Sequence, residues 1–380
     1  MLKNSFGKRA LTAHRKLRGK ITVQGKAPIK NKDDLSVYYT PGVGEVALYV
    51  AKHRDKMGEY TMRGNTVAIV SDGSAVLGLG NIGPEGALPV MEGKAMLFKT
   101  FANVDAFPIV LATQDTDEIV AAVKNIAPGF GGINLEDISA PRCFEVEQKL
   151  KALLDIPVFH DDQHGTAMVV LAGLINAFAV VKKNPKISTI VIAGIGAAGN
   201  AIAHLLLKFG VGNIVMLDSR GIIEMTRADL NIFKQKLAKK TNKRNLRGDL
   251  SVALVGADMF IGVSRSNTLT RAMVASMSKK AIVFALANPM PEIMPDEAKA
   301  GGAAVVATGR SDFPNQINNS LGFPGIFRGA LDHKVKNITE EMLLRAAKNL
   351  AALVSKPTSG HIIPSPFAKG IVRAVAKAIC

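Results

Sequence analysis

From Asn65 onward the chain alternates between short apolar runs and stretches in which apolar residues recur every three or four positions. Residues 67–70, 107–111, 132–135 and 157–159 read as strands, and 115–127 and 141–154 as amphipathic helices. The first of these helices opens with Asp115 and Glu118 at the spacing of a capping box. A second set of apolar runs follows at 187–193, 214–217, 254–262, 281–286 and 303–307. Strands alternating with helices predict an α/β protein built on parallel sheets. The expected division is an N-terminal α/β catalytic domain over residues 1–163 and a Rossmann-type doubly wound parallel-sheet domain over 164–380, ending in a C-terminal helix. The weakly polar stretch 167–181 is too short to span a bilayer and contains Asn176, so it reads as a buried helix and no membrane partner is expected.

The run 187–193 leads into Gly194-Ile195-Gly196-Ala197-Ala198-Gly199 and then into a helical pattern through Ile202, Leu205, Leu206 and Phe209. In a dinucleotide-binding turn the first two glycines close the turn and let the backbone approach a pyrophosphate. The third lets helix pack on strand, and the helix amino end offers free N–H groups. Asp218, after the next strand, is placed to accept hydrogen bonds from the adenosine ribose. A second copy of the spacing, Gly78-Leu79-Gly80-Asn81-Ile82-Gly83, also follows an apolar run. Pro84, Gly86, Pro89 and Gly93 come after it and should interrupt a phosphate-binding helix, so the cofactor is assigned to Gly194, Gly196 and Gly199.

With 380 residues and 48% hydrophobic content the chain is long enough for two cores. Its net charge of +17 favours anionic partners without choosing among nucleic acid, membrane surface and small dicarboxylate or dinucleotide ligands. Much of the excess lies in Lys234, Lys236, Lys239, Lys240, Lys243, Arg244 and Arg247. Few aromatic residues accompany them to stack bases, so the run reads as a solvated helix and loop, and nucleic acid is not an expected partner. Lys3, Lys8, Arg9, Arg15, Lys16, Arg18 and Lys20 precede the first acidic residue, Asp33. That composition fits either a presequence or an amphipathic helix over 10–17 that belongs to the folded protein. Only Cys143 and Cys380 occur, in no metal-binding spacing, which points to a reducing, cytoplasmic location.

Two acidic pairs, Glu136-Asp137 and Asp161-Asp162, stand where apolar runs end. Parallel strands deliver polar groups to a ligand crevice at such carboxyl ends, and converging carboxylates suit a hard divalent cation. His160 and His164 have the i, i+4 spacing of zinc ligands, but they straddle a strand end and a helix start and read as structural. Met91, Met96, Met273 and Met277 read as core filler.

Longer motifs run through the chain. They are Tyr39-Thr40-Pro41-Gly42-Val43, Leu77-Gly78-Leu79-Gly80-Asn81-Ile82-Gly83, Pro89-Val90-Met91-Glu92-Gly93-Lys94 and Asn134-Leu135-Glu136-Asp137. They continue with Phe159-His160-Asp161-Asp162-Gln163-His164-Gly165-Thr166-Ala167, Ala287-Asn288-Pro289 and Asn318-Asn319-Ser320-Leu321-Gly322-Phe323-Pro324-Gly325. In this order, over nearly the whole chain, they resemble the malic enzymes in their short bacterial form. The resemblance implies oxidative decarboxylation of malate to pyruvate and carbon dioxide, reduction of NAD or NADP, and a requirement for Mg or Mn. It implies Glu136, Asp137 and Asp162 as metal ligands, Lys94 as general base and Tyr39 as the acid that protonates the enolate carbon, held close to Lys94. Asp161 is then expected to tune Lys94 or orient the substrate, and Asn288 and Asn319 to hydrogen-bond the substrate carboxylates. A basic Lys94 needs a neutral amine, and a nearby cation plus desolvation would both lower its pKa. Lys99 is expected to be a bystander.

Some positions depart from the family pattern. Ala75 stands where larger members carry a malate-binding arginine, so another cation or a backbone donor must hold that carboxylate. Ser264-Arg265-Ser266-Asn267 replaces a more proline- or glycine-rich turn expected beside the nicotinamide. Asp218 would repel a 2′-phosphate whereas Arg220 is available to neutralise one, which favours NAD and leaves NADP open. The resemblance also implies a homodimer in which Tyr39 can be donated across the interface. Two other readings stay open: malolactic conversion with tightly held NAD, which shares all these motifs, and a basic nucleic-acid-binding protein on a dehydrogenase scaffold.

Overall fold

Two separate sheets organise the computed structural model, which describes residues 3–380. In the first, β1 (Thr66–Ser71), β2 (Asp105–Val110), β3 (Gly132–Leu135) and β4 (Val158–His160) lie in the order β2-β1-β3-β4, all parallel. β1 and β3 are buried along their whole length, as continuous apolar runs in a sheet covered on both faces should be. Pro108 falls on the edge strand β2, where a missing N–H costs least.

The second sheet holds β5 (Thr189–Ala193), β6 (Asn213–Asp218), β7 (Gly221–Ile222), β8 (Met259–Gly262), β9 (Ala281–Ala285) and β10 (Ala303–Thr308). Their order is β10-β9-β8-β5-β6-β7, parallel except for β7 against β6. The chain leaves β5 first toward β6 and later returns on its other side as β8. The carboxyl ends of β5 and β8 therefore flank the crevice where doubly wound sheets bind ligands.

The helix Thr166–Val181 joins the two halves. Its Val169, Leu171 and Leu174 share one core with Val67 and Phe98 on one side and Ile190, Ile261 and Phe284 on the other. With the π-helical turn Asp161–Gly165 in front, the segment Asp161–Val181 is long and apolar enough to cross a membrane by length and composition, contrary to the sequence expectation. Its most apolar window is 72% buried inside the protein, so it serves as a core helix. Asn176 fits there because its Nδ2 donates to the carbonyls of Ala351 and Ile362, each at 2.9 Å.

Three segments differ from the pattern reading. Residues 254–262 are not one strand: a helix, Leu250–Leu254, capped by Asp249, precedes β8. Gly83–Ala102 is one unbroken helix despite Pro89 and its glycines. Pro84 stands at its first turn, where a missing N–H is harmless, and Ala87, Met91, Ala95, Phe98 and Ala102 bury one face, so packing overrides propensity. The N-terminal helix runs over Lys3–Leu17, and no side chain between Phe6 and Asn65 is buried.

Candidate active site

β3 ends at Leu135 and delivers Glu136 and Asp137; its neighbour β4 ends at His160 and delivers Asp161 and Asp162. The Glu136 N–H continues the ladder to the Val70 carbonyl at 2.9 Å. Asp137 turns left-handed, with φ of 55°, and its N–H donates to Asp162 Oδ2 at 2.9 Å, stitching the two strand ends together. One oxygen from each of Glu136, Asp137 and Asp162 then lies within 4.8 Å of the others. Burial, with the neighbouring Asp162 charge, pushes the Asp137 carboxyl up to about 8. Burial likewise raises Glu136 well above the usual carboxylate range, although Lys94 opposes it. The buried Asp137 Oδ2 has no hydrogen-bond partner. Crowded carboxylates with an orphaned oxygen at the end of parallel strands fit a hard divalent cation.

Lys94 projects from the Gly83–Ala102 helix into this cluster and is only 7% exposed. Its ammonium donates to Glu136 Oε1 and, at 2.5 Å, to Asp161 Oδ2, and it lies 4.6 Å from the centre of the Phe323 ring. With the carboxylates alone acting on it, the amine's pKa is raised. Burial alone would lower it, but contact with Asp161 and Glu136 outweighs burial and holds the amine charged. Asp161 is itself raised to about 6, burial outweighing the attraction of Lys94. A β-carbon at Gly165 would lie 1.8 Å from Asp161 Oδ1, so this glycine makes room for the Asp161 side chain. The same point is 3.6 Å from Asn319 Cβ, which brings Asn319 to the rim of the cluster. Lys99 pairs instead with Asp105 at 2.8 Å, away from the site.

Sequence reasoning missed the residues that hold these groups in place. Glu147, on the helix Arg142–Leu153, is buried and accepts from His160 N at 3.2 Å, Gln163 Nε2 at 3.4 Å and His164 Nε2 at 2.9 Å. It thereby clamps the turn that carries Asp161 and Asp162, and His164 has the structural role expected of it. Asp72 follows β1 as Glu136 follows β3, so the strand-end pattern could have singled it out. It faces Arg142, whose Nη2 reaches Asp72 at 2.7 Å, Ser74 at 2.9 Å and Ser139 at 3.2 Å.

At the switch point of the second sheet a cavity of about 710 Å³ is lined by Gly194, Gly196, Asp218, Ser219, Lys234 and Ser264, among others. The three glycines differ in what surrounds them. Gly194 has φ of +107°, and a β-carbon there would meet the Val263 carbonyl at 2.6 Å; one at Gly199 would meet the Gly194 carbonyl at 1.8 Å. Gly196 faces open space. Close packing at the first and third positions and free approach at the second is what a pyrophosphate turn requires. Asp218 does not stand free beside this turn, because Arg227 and Lys234 both hydrogen-bond its carboxylate. Arg220 offers Asp218 only its backbone N–H, and its guanidinium pairs with Asp229.

The Ser264 turn is ordered without extra glycine or proline. Buried Glu292 accepts from Ser264 N at 3.1 Å and Ala287 N at 3.0 Å, tying that turn to the Ala287-Asn288-Pro289 loop. Asn288 is exposed in that loop. Tyr39 is not brought to Lys94 within one chain: it is 65% exposed, whereas the Lys94 ammonium is buried against Glu136 and Asp161.

Comparison with known proteins covers both halves. Residues 18–151 match the family model of the malic enzyme N-terminal domain, and residues 163–380 that of the malic enzyme NAD binding domain. The chain is 53% identical over 378 residues to the bifunctional malic/malolactic enzyme of Bacillus subtilis, covering 99% of this chain and 92% of that one. It is 55% identical over 363 residues to the NAD-dependent malic enzyme of Geobacillus stearothermophilus, covering 95% and 76%. The crystal structure of an NAD-dependent malic enzyme from Thermotoga maritima superposes with a TM-score of 0.94 at 50% identity, covering 97% of this chain and 98% of that one.

Proposed function

The chain belongs to the malic enzyme family, and from that premise we propose how its residues divide the work of converting malate to pyruvate and carbon dioxide with reduction of NAD(P). One observation carries the assignment: the oxygens of Glu136, Asp137 and Asp162 converge within 4.8 Å while Lys94 hydrogen-bonds to Glu136.

Glu136, Asp137 and Asp162 are assigned as ligands of Mg or Mn. Such a cation would supply withdrawal of charge from the keto oxygen, easing loss of carbon dioxide, and a bound nicotinamide would supply the hydride acceptor. Lys94 is the base that takes the proton of the C2 hydroxyl. Burial favours the neutral amine that this role needs, and Glu136, as a ligand of the cation, would oppose that burial less. Asp161 keeps the amine aimed and balances its charge. Asn288 and Asn319 are assigned to hydrogen-bond the substrate carboxylates. Gly194, Gly196 and Gly199 cradle the pyrophosphate, and Asp218 faces the adenosine ribose, with NAD or NADP as cofactor.

Tyr39 protonates the enolate carbon, and a homodimer is inferred to carry it to Lys94 of a second copy. The support is the segment from Phe6 to Asn65, in which no side chain is fully buried within its own chain and Tyr38, Tyr39, Val43 and Tyr49 are exposed. The catalytic domain is taken to end at residue 163 and the dinucleotide domain to begin at 164, just after β4 closes the first sheet. The free Cys143 and Cys380 support a reducing, cytoplasmic setting. Malolactic conversion is a second reading, favoured by the 53% identity to a bifunctional relative. Malate, Mn and each nucleotide in turn, followed by absorbance and by product analysis, test both. Neither nucleotide reduced and no lactate formed would overturn them.

A further inference from the structure

Beyond the carboxyl ends of β8 and β9 the ladder between them stops, and a side chain takes its place. A backbone bond from Leu286 N to the Gly262 carbonyl at 3.0 Å closes the ladder. Past it the buried Glu292 carboxylate stands between the two emerging loops: Oε1 accepts from Ser264 N at 3.1 Å and Oε2 from Ala287 N at 3.0 Å. The Glu292 backbone carbonyl accepts from Leu269 N at 3.1 Å, and that of Pro291 from Asn267 N at 3.2 Å. Gly262 leaves room for this arrangement, because a β-carbon there would fall 2.3 Å from Glu292 Cδ. Among the described residues no cationic side chain pairs with Glu292. What its carboxylate does is hold two backbone N–H groups at a fixed spacing.

The two loops carry different halves of the reaction. Ser264 and Thr268 line the cavity assigned to the dinucleotide, and Ala287 immediately precedes Asn288, assigned to malate. Arg310 holds the malate loop from another side, its Nη1 donating to the Pro289 carbonyl at 3.1 Å. Hydride transfer requires the reacting atoms to approach to about 3–3.5 Å, so the spacing of the two loops enters the rate directly. An amide cannot replace the carboxylate: it offers a single oxygen and would set its NH2 group against one of the two backbone donors. We propose that Glu292 is a positioning residue for hydride transfer, its two carboxylate oxygens setting the spacing between the cofactor turn and the malate loop.

This rests on the proposed malate and dinucleotide sites, and one experiment separates the claims. Turnover of malate with Mn and the nucleotide that the wild type reduces is expressed per nucleotide-binding site counted by calorimetry, so that misfolded protein does not enter. Glu292→Gln is expected to lower kcat per site by about tenfold or more. Malate deuterated at C2 should slow this variant at least as strongly as it slows the wild type, because the damage lies in the hydride step. Gly262→Ala, which crowds the carboxylate from behind, should repeat both results, and it decides the matter where Glu292→Gln does not fold. Asn176→Ala, which removes two buried hydrogen bonds of the core helix, should lower thermal stability and leave kcat per site and the isotope effect unchanged. A smaller fall in kcat per site, an isotope effect below that of the wild type, or the same losses in Asn176→Ala overturns the positioning role. A wild type that reduces neither nucleotide overturns the proposed sites themselves.

Discussion

The carbonyl oxygen of Asn288 occupies the space that a side chain at Gly78 would need: a β-carbon built there falls 2.2 Å from it. The contact joins the loop after β1 to the loop after β9, and Gly78 holds a left-handed φ of +74° to make it. The first glycine motif thus provides a close approach between the two halves at the Ala287-Asn288-Pro289 loop. Gly78→Ala adds strain of about 1–2 kcal/mol and pushes Asn288 away. Displacement of a positioning group by about 1 Å can cost on the order of a hundredfold in rate. The expected result is a fall in kcat/KM for malate of about tenfold or more with NAD affinity retained. Unchanged malate kinetics would show that the contact does not position Asn288.

Removing charge from the acidic cluster should stabilise the metal-free protein. The Asp137 carboxyl is raised to about 8 by burial and by Asp162. An unfolded aspartate ionises near its ordinary value while the folded one resists, so native stability falls as pH climbs between the two values. Asp137→Asn removes that penalty. Thermal unfolding in EDTA at pH 8 should shift upward by about 2–4 °C, for a gain of about 1 kcal/mol. The stabilisation that Mn gives the wild type should vanish in the variant. An Asp137→Asn protein that Mn still stabilises fully would remove Asp137 from the ligand set.

The strands were legible because buried parallel strands are continuous apolar runs: 132–135 coincides with β3, and the acidic residues after β3 and β4 announced the crevice. Gly83–Ala102 was not legible. Pro89 and the glycines argue locally against a helix, and the burial of Met91, Ala95 and Phe98 that decides the matter depends on chain brought in from Phe323 and Phe327. Glu147 and Lys234 were hidden for a related reason. A charged residue in an amphipathic helix reads as solvated face, and only the tertiary structure shows Glu147 buried against His164 and Lys234 turned onto Asp218. Tyr39 stood out in the sequence through its motif, but the fold of one chain leaves it 65% exposed and does not bring it to the buried Lys94 ammonium.

Glu147 should make the Asp161–Gly165 turn sensitive to acid. Burial raises its carboxyl, but the opposing pull of His164 and Lys151 is larger and holds it far below the usual carboxylate range. A carboxylate depressed in the folded state contributes stability above its unfolded value and loses it as pH falls toward the folded one. Glu147→Gln should therefore cost about 1–3 kcal/mol in urea unfolding at pH 7, with the gap from wild type closing as pH drops below about 4. A gap that stays constant from pH 7 to pH 3 would mean that shape, and not charge, is what Glu147 provides.

Mixing two inactive variants tests where Tyr39 acts. Lys94→Ala lacks the proposed base and Tyr39→Phe the proposed acid, so each variant should be nearly inactive alone. If Tyr39 serves the Lys94 of a second copy, a mixed dimer has one site with both lost residues and one with both intact. Random exchange of equal amounts makes about half the dimers mixed, so about one quarter of wild-type activity should return. If Tyr39 instead folds back onto its own Lys94, every site in the mixture lacks one group and no activity returns. Capture through an affinity tag carried by one variant only, run alongside, establishes that subunits have exchanged. A mixed dimer that stays inactive would place Tyr39 with its own chain and require the exposed Phe6–Asn65 segment to rearrange on substrate binding.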